Sequence, residues 1–356
     1  KITLILTLKD NVEFTYRWLN YMNNQNCNYK ILIADGGRDD SIKKILVGKN
    51  LYPNINYEYI RYPYDANLKL YYSKLVDVVN RVETPYILFM DNDDFFILEN
   101  IPIFIDYLDK NKDTVSCGGH LASLSLYSKN KLVNATTGDN YILSKPIIDD
   151  KSIIKEDSAD RVCDFFKRAD INYLWLNWYF VHNTESVKNA INYLSKYNFK
   201  DVVSYEIYLQ MAFTTSGKSV QLDYPYYIRQ EGTSTASRDA NKIGNVFSRF
   251  LKNNIFSEVK DSIDYISENF LESEKDKIFD SFITWFLYHG VSLFNKPKKS
   301  KLREFFENQN NFKLNLTFLR VTNLIKKIFS TTSTEYYLMK DLEKYILVDH
   351  KIDKKK

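Results

Sequence analysis

Glycine is scarce in this chain, ten residues in 356, and nowhere are the glycines spaced as in a phosphate-cradling loop. Neither G-x-G-x-x-G nor G-x-x-x-x-G-K-[ST] occurs, which excludes the usual dinucleotide and P-loop modes of binding phosphate. Cysteine is scarcer still. Cys27, Cys117 and Cys163 are widely spaced, odd in number and form no C-x-x-C pair. That argues against a disulfide framework or a zinc site and fits a reducing compartment, so a cytoplasmic location is expected. No apolar run reaches the length of a spanning helix. A strong excess of one charge is also missing: the net charge is +4. A nucleic-acid partner is therefore not expected, because such proteins carry a concentrated basic field. The visible basic excess falls late, in residues 296–303 and 354–356, leaving open a peripheral contact with the inner face of an anionic membrane. Self-association into a homo-oligomer is left open as well.

What the chain does have is apolar and aromatic mass. Hydrophobic residues make up 44% and aromatic residues 15%, enough for a sizeable core and incompatible with wholesale disorder. At about 150 residues per domain the length suggests two domains. Over the first hundred residues, short apolar runs (2–8, 31–34, 57–61 and 86–90) alternate with amphipathic stretches near 14–22, 40–47 and 70–82. Strands alternating with helices predict an α/β fold with a mostly parallel sheet covered on both faces. Ligands of such sheets bind beyond the carboxyl ends of the strands. Asp10, Asp35 and Asp91 each follow such an end, so they are expected to share one crevice.

Residues 115–227 are mixed and less legible. After about 239 the pattern turns helical: Ile255, Val259, Ile263, Ile266 and Phe270 fall on one face, and Ile278, Phe282, Ile283, Phe286 and Leu287 form a second stripe. Leu319, Ile325, Ile328 and Phe329 suggest a third. The expected division is a domain over 1–239, with halves of about 1–115 and 116–239, followed by an α-helical region over 240–356.

The chemistry concentrates in Asp91-Asn92-Asp93-Asp94, directly after the buried-strand run 86–90. Three carboxylates in four residues repel one another at a strand end. A divalent cation relieves that repulsion, and hard oxygen ligands suit Mg²⁺ or Mn²⁺ bridging two phosphates. A solvated acidic turn is the plainer alternative. An EF-hand loop is excluded, since Phe95 and Phe96 stand where it needs an oxygen and a glycine.

These motifs resemble those of the inverting family 2 glycosyltransferases, bacterial enzymes of the GT-A fold. Residues 2–11 are similar to that family's first strand and nucleotide loop, residues 34–41 (Ala-Asp-Gly-Gly-Arg-Asp-Asp-Ser) to its second motif, and residues 90–95 to its D-x-D strand end. The resemblance implies a metal-dependent transfer of a sugar from a nucleotide-diphosphate sugar, a UDP-sugar being the expected donor, to a saccharide or glycan acceptor. It implies nucleotide contacts at Thr7, Leu8, Asp10, Asp35, Asp91 and Asn92, with Asp35 on the base, and metal contacts at Asp91 and Asp93. Residues 205–217 resemble the family's Glu-Asp helix, and spacing back from Gly217 sets Glu206 on the catalytic base, a Glu where the family has Asp. A carboxylate there takes the proton of the attacking hydroxyl. The competing role for Glu206 is an acid near a helix N-terminus, favoured by the dipole. Residues 227–234 resemble a loop that usually carries Arg, then His; here Gln230 replaces the histidine, while Arg229 could hold diphosphate charge. Lys69 and Lys74 fall where family members often keep nucleotide-contacting polar groups, though helix lysines are mostly solvated.

The aromatic stretch 173–180 is the expected acceptor region, with Trp175 and Trp178 as stacking candidates against ordinary core packing. His182, just beyond, reads as a loop histidine. Two other classes remain: a non-catalytic carbohydrate-binding or assembly protein, and a sugar nucleotidyltransferase. The latter needs a glycine-rich loop with a basic residue after the first strand, where this chain has Thr7-Leu8-Lys9-Asp10-Asn11.

Overall fold

The computed structural model of the protein describes residues 1–48, 50–129, 131–144, 152–169, 174, 176–233, 255–271, 274–294 and 341–348. The β-branched run β1 (Ile2–Leu8) lies at the centre of the parallel part of the sheet. It is followed by α1 (Val12–Asn24), β2 (Lys30–Asp35), α2 (Ser41–Leu46), β3 (Asn56–Arg61), α3 (Leu68–Asn80) and β4 (Tyr86–Met90). β1 and β4 are buried almost throughout because helices cover both faces, which is why they read as unbroken apolar runs. β1 pairs in parallel with β2 on one side and β4 on the other. The chain therefore reverses its winding direction at β1, and a crevice opens above the carboxyl ends of β1 and β4.

The second half of the sheet is threaded differently. After β5 (Phe95–Phe96) and α4 (Ile101–Lys110) comes the fifteen-residue β6 (Thr114–Ser128), with β7 (Lys131–Leu132) and β8 (Asn140–Ser144) folding back on it. Next are α5 (Ser158–Arg168), β9 (Val181–Asn183), α6 (Thr184–Asn192), α7 (Val202–Ser216) and β10 (Lys218–Gln230). The strand order is β3-β2-β1-β4-β9-β6-β10-β5, with β9 antiparallel to both β4 and β6, and β10 parallel to β6. The expected α/β class and its parallel sheet are what the chain adopts, and one sheet runs unbroken past residue 115.

Two apolar layers flank the sheet. One packs α1, α2 and α4 on one face; the other packs α3, α5, α6 and α7 on the opposite face. The second layer also takes in α8 (Ile255–Phe270) and α9 (Lys275–Phe294), the helices expected from the late periodicity. Two stripe assignments need correction. Phe270 is 49% exposed at the last turn of α8, and Leu287 is 54% exposed. The buried face of α9 runs instead through Ile278, Phe282, Trp285 and Phe286, which is the i, i+4, i+7, i+8 spacing of a single stripe. The expected boundary near 240, the third stripe and the basic run at 296–303 lie outside the described residues. Among the described residues no helix is long and apolar enough to cross a membrane, and the three cysteines are buried and free.

Candidate functional site

The turn after β1 shapes the floor of the crevice. Asp10 and Asn11 both adopt left-handed backbone, φ 57° and 53°. Asp and Asn tolerate that region better than other non-glycine residues. Asp10 Oδ1 accepts the Arg38 amide at 2.8 Å, which ties this turn to the one following β2. Above it stands the acidic segment after β4. Asn92 donates to Thr15 Oγ1 at 2.8 Å and to the Asn11 carbonyl at 3.3 Å. Its amide nitrogen thus anchors the segment on the start of α1.

Asp91, Asp93 and Asp94 bring carboxylate oxygens within 4.8 Å of one another. They are not equivalent. Asp94 accepts from the Tyr227 hydroxyl and from the Gln230 amide at 2.8 Å, and it does not line the cavity. Burial, then Asp93 and Asp91, hold its carboxyl well above the usual range. Asp91 accepts from the Tyr179 hydroxyl. Burial, then the Asp93 charge, raise it to about 6 against the pull of Tyr179, Arg229 and Lys74. Asp93 is 4% exposed, and among the described residues no group donates to its carboxylate. An undonated carboxylate facing two others is an arrangement that a hard divalent cation would fit, held by Asp91 and Asp93.

A cavity of about 680 Å³ joins these groups. Thr7, Leu8, Asp10, Asn92, Asp91, Asp93, Trp178, Glu206 and Arg229 all line it. Glu206 reaches it from α7, whose first turn is capped by Asp201 accepting the Val203 amide at 2.9 Å. Val202, Tyr205, Glu206, Leu209 and Gln210 follow i, i+3, i+4, i+7, i+8, so one face of the helix forms the wall. Glu206 stands in the second turn, past the orphan amides that a dipole-favoured acid would sit beside. Other acids of this region are used elsewhere: Asp201 as the cap, and Glu185 exposed in an ion pair with Lys188. Arg229 is held above its ordinary range, since Tyr227, Tyr179 and Asp94 around it outweigh its burial. Trp178 packs one face on Phe89, ring centroids 3.8 Å apart, and still contributes to the cavity. Trp175 lies outside the described residues.

Several expectations come out differently. Asp35 is 2% exposed and does not line the cavity. Its oxygens are taken by the Gly37 amide at 2.8 Å, the Tyr59 hydroxyl at 2.6 Å and Arg61 at 3.1 Å, so it organises the turn behind the wall. Lys74 is no solvated helix lysine. It is buried, donates to the Leu8 carbonyl at 2.9 Å and pairs with Asp65; Lys69 is exposed. Gln230 is 1% exposed, and both ends of its side-chain amide are taken, by Arg17 and by the Ala135 carbonyl. His182 lies on strand β9, not in a loop, and burial depresses it to about 4.

Sequence reasoning missed Asp65 and Arg17. Asp65 lines the cavity and packs on Gly36, where a Cβ would meet the Asp65 carboxyl carbon at 2.5 Å. Only glycine fits there, and the Gly36-Gly37 pair was the available signal. Arg17 is the single cation of α1, and nothing in the local pattern points to its distant partners.

Residues 4–175, just under half of the chain, match the family model described as glycosyl transferase family 2. Over that segment the chain is similar to this family, in agreement with the motifs at 2–11, 34–41 and 90–95. No curated protein matches it in sequence. A structure of S. aureus TarS residues 1–349 is 13% identical, covers 86% of this chain and 78% of its own, and gives a TM-score of 0.48. The same fragment in complex with UDP-GlcNAc is 12% identical, with coverage of 80% and 72% and a TM-score of 0.49.

Proposed function

We propose that this chain is a metal-dependent glycosyltransferase that moves a sugar from a nucleotide-diphosphate sugar, a UDP-sugar being the expected donor, to a saccharide or glycan acceptor with inversion. The observation that carries this reading is a single cavity lined by Asp91 and Asp93 after β4, by the 7–11 turn after β1, and by Glu206 from α7. The family match over residues 4–175 supports it. A Mg²⁺ or Mn²⁺ ion bound by Asp91 and Asp93 would supply charge neutralisation at the diphosphate.

The chain's own residues do the rest. Thr7, Leu8 and Asp10 form the floor against which the nucleotide rests. Arg229, permanently charged beside the carboxylates, stabilises the negative charge that grows on the departing diphosphate. Glu206 accepts the proton of the acceptor hydroxyl as its oxygen attacks the anomeric carbon. The part of Trp178 that lines the cavity offers apolar surface to a sugar ring. The catalytic unit spans 1–239, with α8 and α9 packed onto it beside α5 and α7.

The test is a thermal-shift panel of nucleoside diphosphates and sugar nucleotides with Mn²⁺ or Mg²⁺, followed by donor hydrolysis without acceptor. Stabilisation by a matching donor and slow hydrolysis are expected, since a ligand of the native state stabilises it by mass action. Binding without any turnover would favour a carbohydrate-binding protein, and absence of binding across the panel would overturn the proposal.

A further inference from the structure

Gln210 stands one helical turn beyond Glu206 on the cavity face of α7. It is 2% exposed. Its backbone carbonyl is taken by the Thr214 hydroxyl at 2.8 Å, but among the described residues nothing bonds its side-chain amide. That amide carries two donors and an acceptor. Buried polar side chains almost always have partners, so one with no partner among the described residues on a cavity wall needs an explanation. Along the cavity face of α7, Val202 and Glu206 are half-buried while Leu209 and Gln210 are buried, so solvent reaches the wall more readily at Glu206 than at Gln210.

We infer that Gln210 is a specificity-determining residue that hydrogen-bonds the transferred sugar, through a ring hydroxyl or an acetamido carbonyl. This rests on the glycosyltransferase reading. The acceptor must arrive from solvent, and its hydroxyl meets Glu206 at the half-buried part of the wall. The group one turn deeper faces what is already enclosed, the sugar of the bound donor. An amide suits that ligand because it donates and accepts at once without adding charge beside Glu206. A site built to bond a hydroxyl also discriminates strongly against sugars lacking it, since the buried amide is then left unpaired.

Gln210→Met keeps length, volume and helix preference while removing the amide. Isothermal titration in Mn²⁺ compares UDP, dTDP and GDP with their hexose and N-acetylhexosamine conjugates, for wild type and variant. The expected result is a loss of about tenfold in affinity for the matching sugar nucleotide, with its parent diphosphate unchanged within roughly twofold, as for one lost hydrogen bond to the sugar. The unchanged diphosphate affinity also certifies that the variant is folded. Equal affinities in both proteins, equal losses for diphosphate and conjugate, or an effect confined to the acceptor KM would each overturn the inference while leaving the enzyme reading intact. If the wild type bound no nucleoside diphosphate, the reading itself would fall and the inference with it.

Discussion

Arg17, buried on α1, donates from Nη2 to the backbone carbonyl of Asp93 at 2.7 Å. Its Nη1 bonds Gln230 Oε1 at 2.6 Å and the Thr136 carbonyl at 3.0 Å. One guanidinium thereby fastens the acidic segment to the end of β10, the strand that carries Arg229. Burial lowers Arg17 to about 10, opposed by the Asp93 and Asp94 charges, so it stays charged at neutral pH. The planar fork explains why Arg and not Lys suits the place: two carbonyls and an amide oxygen are met in fixed directions.

Gln230→Leu tests this tie. It removes an acceptor from a buried cation and leaves the Ala135 carbonyl without its donor, so stability should fall by about 2–3 kcal/mol in urea denaturation. If Gln230 were instead a metal ligand, the variant would lose metal affinity while keeping its stability.

Glu206→Gln preserves shape and hydrogen bonding but cannot take a proton. Sugar transfer should fall by roughly 10²-fold or more. Donor affinity, measured by titration calorimetry, should be nearly unchanged, because the metal and nucleotide contacts belong to other elements. Near-normal turnover would remove Glu206 from the base role.

Donor binding should require a divalent cation. Without one, Asp91 and Asp93 face the diphosphate with like charge. Excess chelator, or Asp93→Asn, should weaken nucleoside diphosphate binding steeply in a calorimetric titration. Affinity indifferent to chelator would show that Arg229 and its neighbours suffice.

His182 makes stability depend on pH. Burial depresses it to about 4, below the unfolded value near 6.5. Its contribution is therefore complete above about 6.5 and is lost as pH falls toward 4, because the unfolded chain binds the proton first. The full loss is about 3 kcal/mol. His182→Phe, which can pack on Phe213 as the imidazole does, should remove this slope. The quantity to measure is the wild-type minus variant stability between pH 7 and 4.5, and a flat difference would contradict the depressed value.

The sequence by itself determined the parallel half of the sheet and the place of the acidic segment. Those strands are buried on both faces, so their residues read as continuous apolar runs, and polar groups begin where the strands end. Glu206 was nominated through the resemblance of residues 205–217, and the fold puts it on the cavity wall. The two late helices were legible from period alone, except where Phe270 and Leu287 drift off the buried face. Only the tertiary structure decided which polar groups open onto the cavity. Asp35 and Asp65 are both acids next to strand ends, yet Asp35 turns inward to Tyr59 and Arg61 while Asp65 lines the wall. Arg17 and Gln230 are 213 positions apart and meet through a sheet whose second half mixes parallel and antiparallel pairings. Local pattern reports the face a residue occupies; a partner that far along the chain is fixed only by how the strands are ordered.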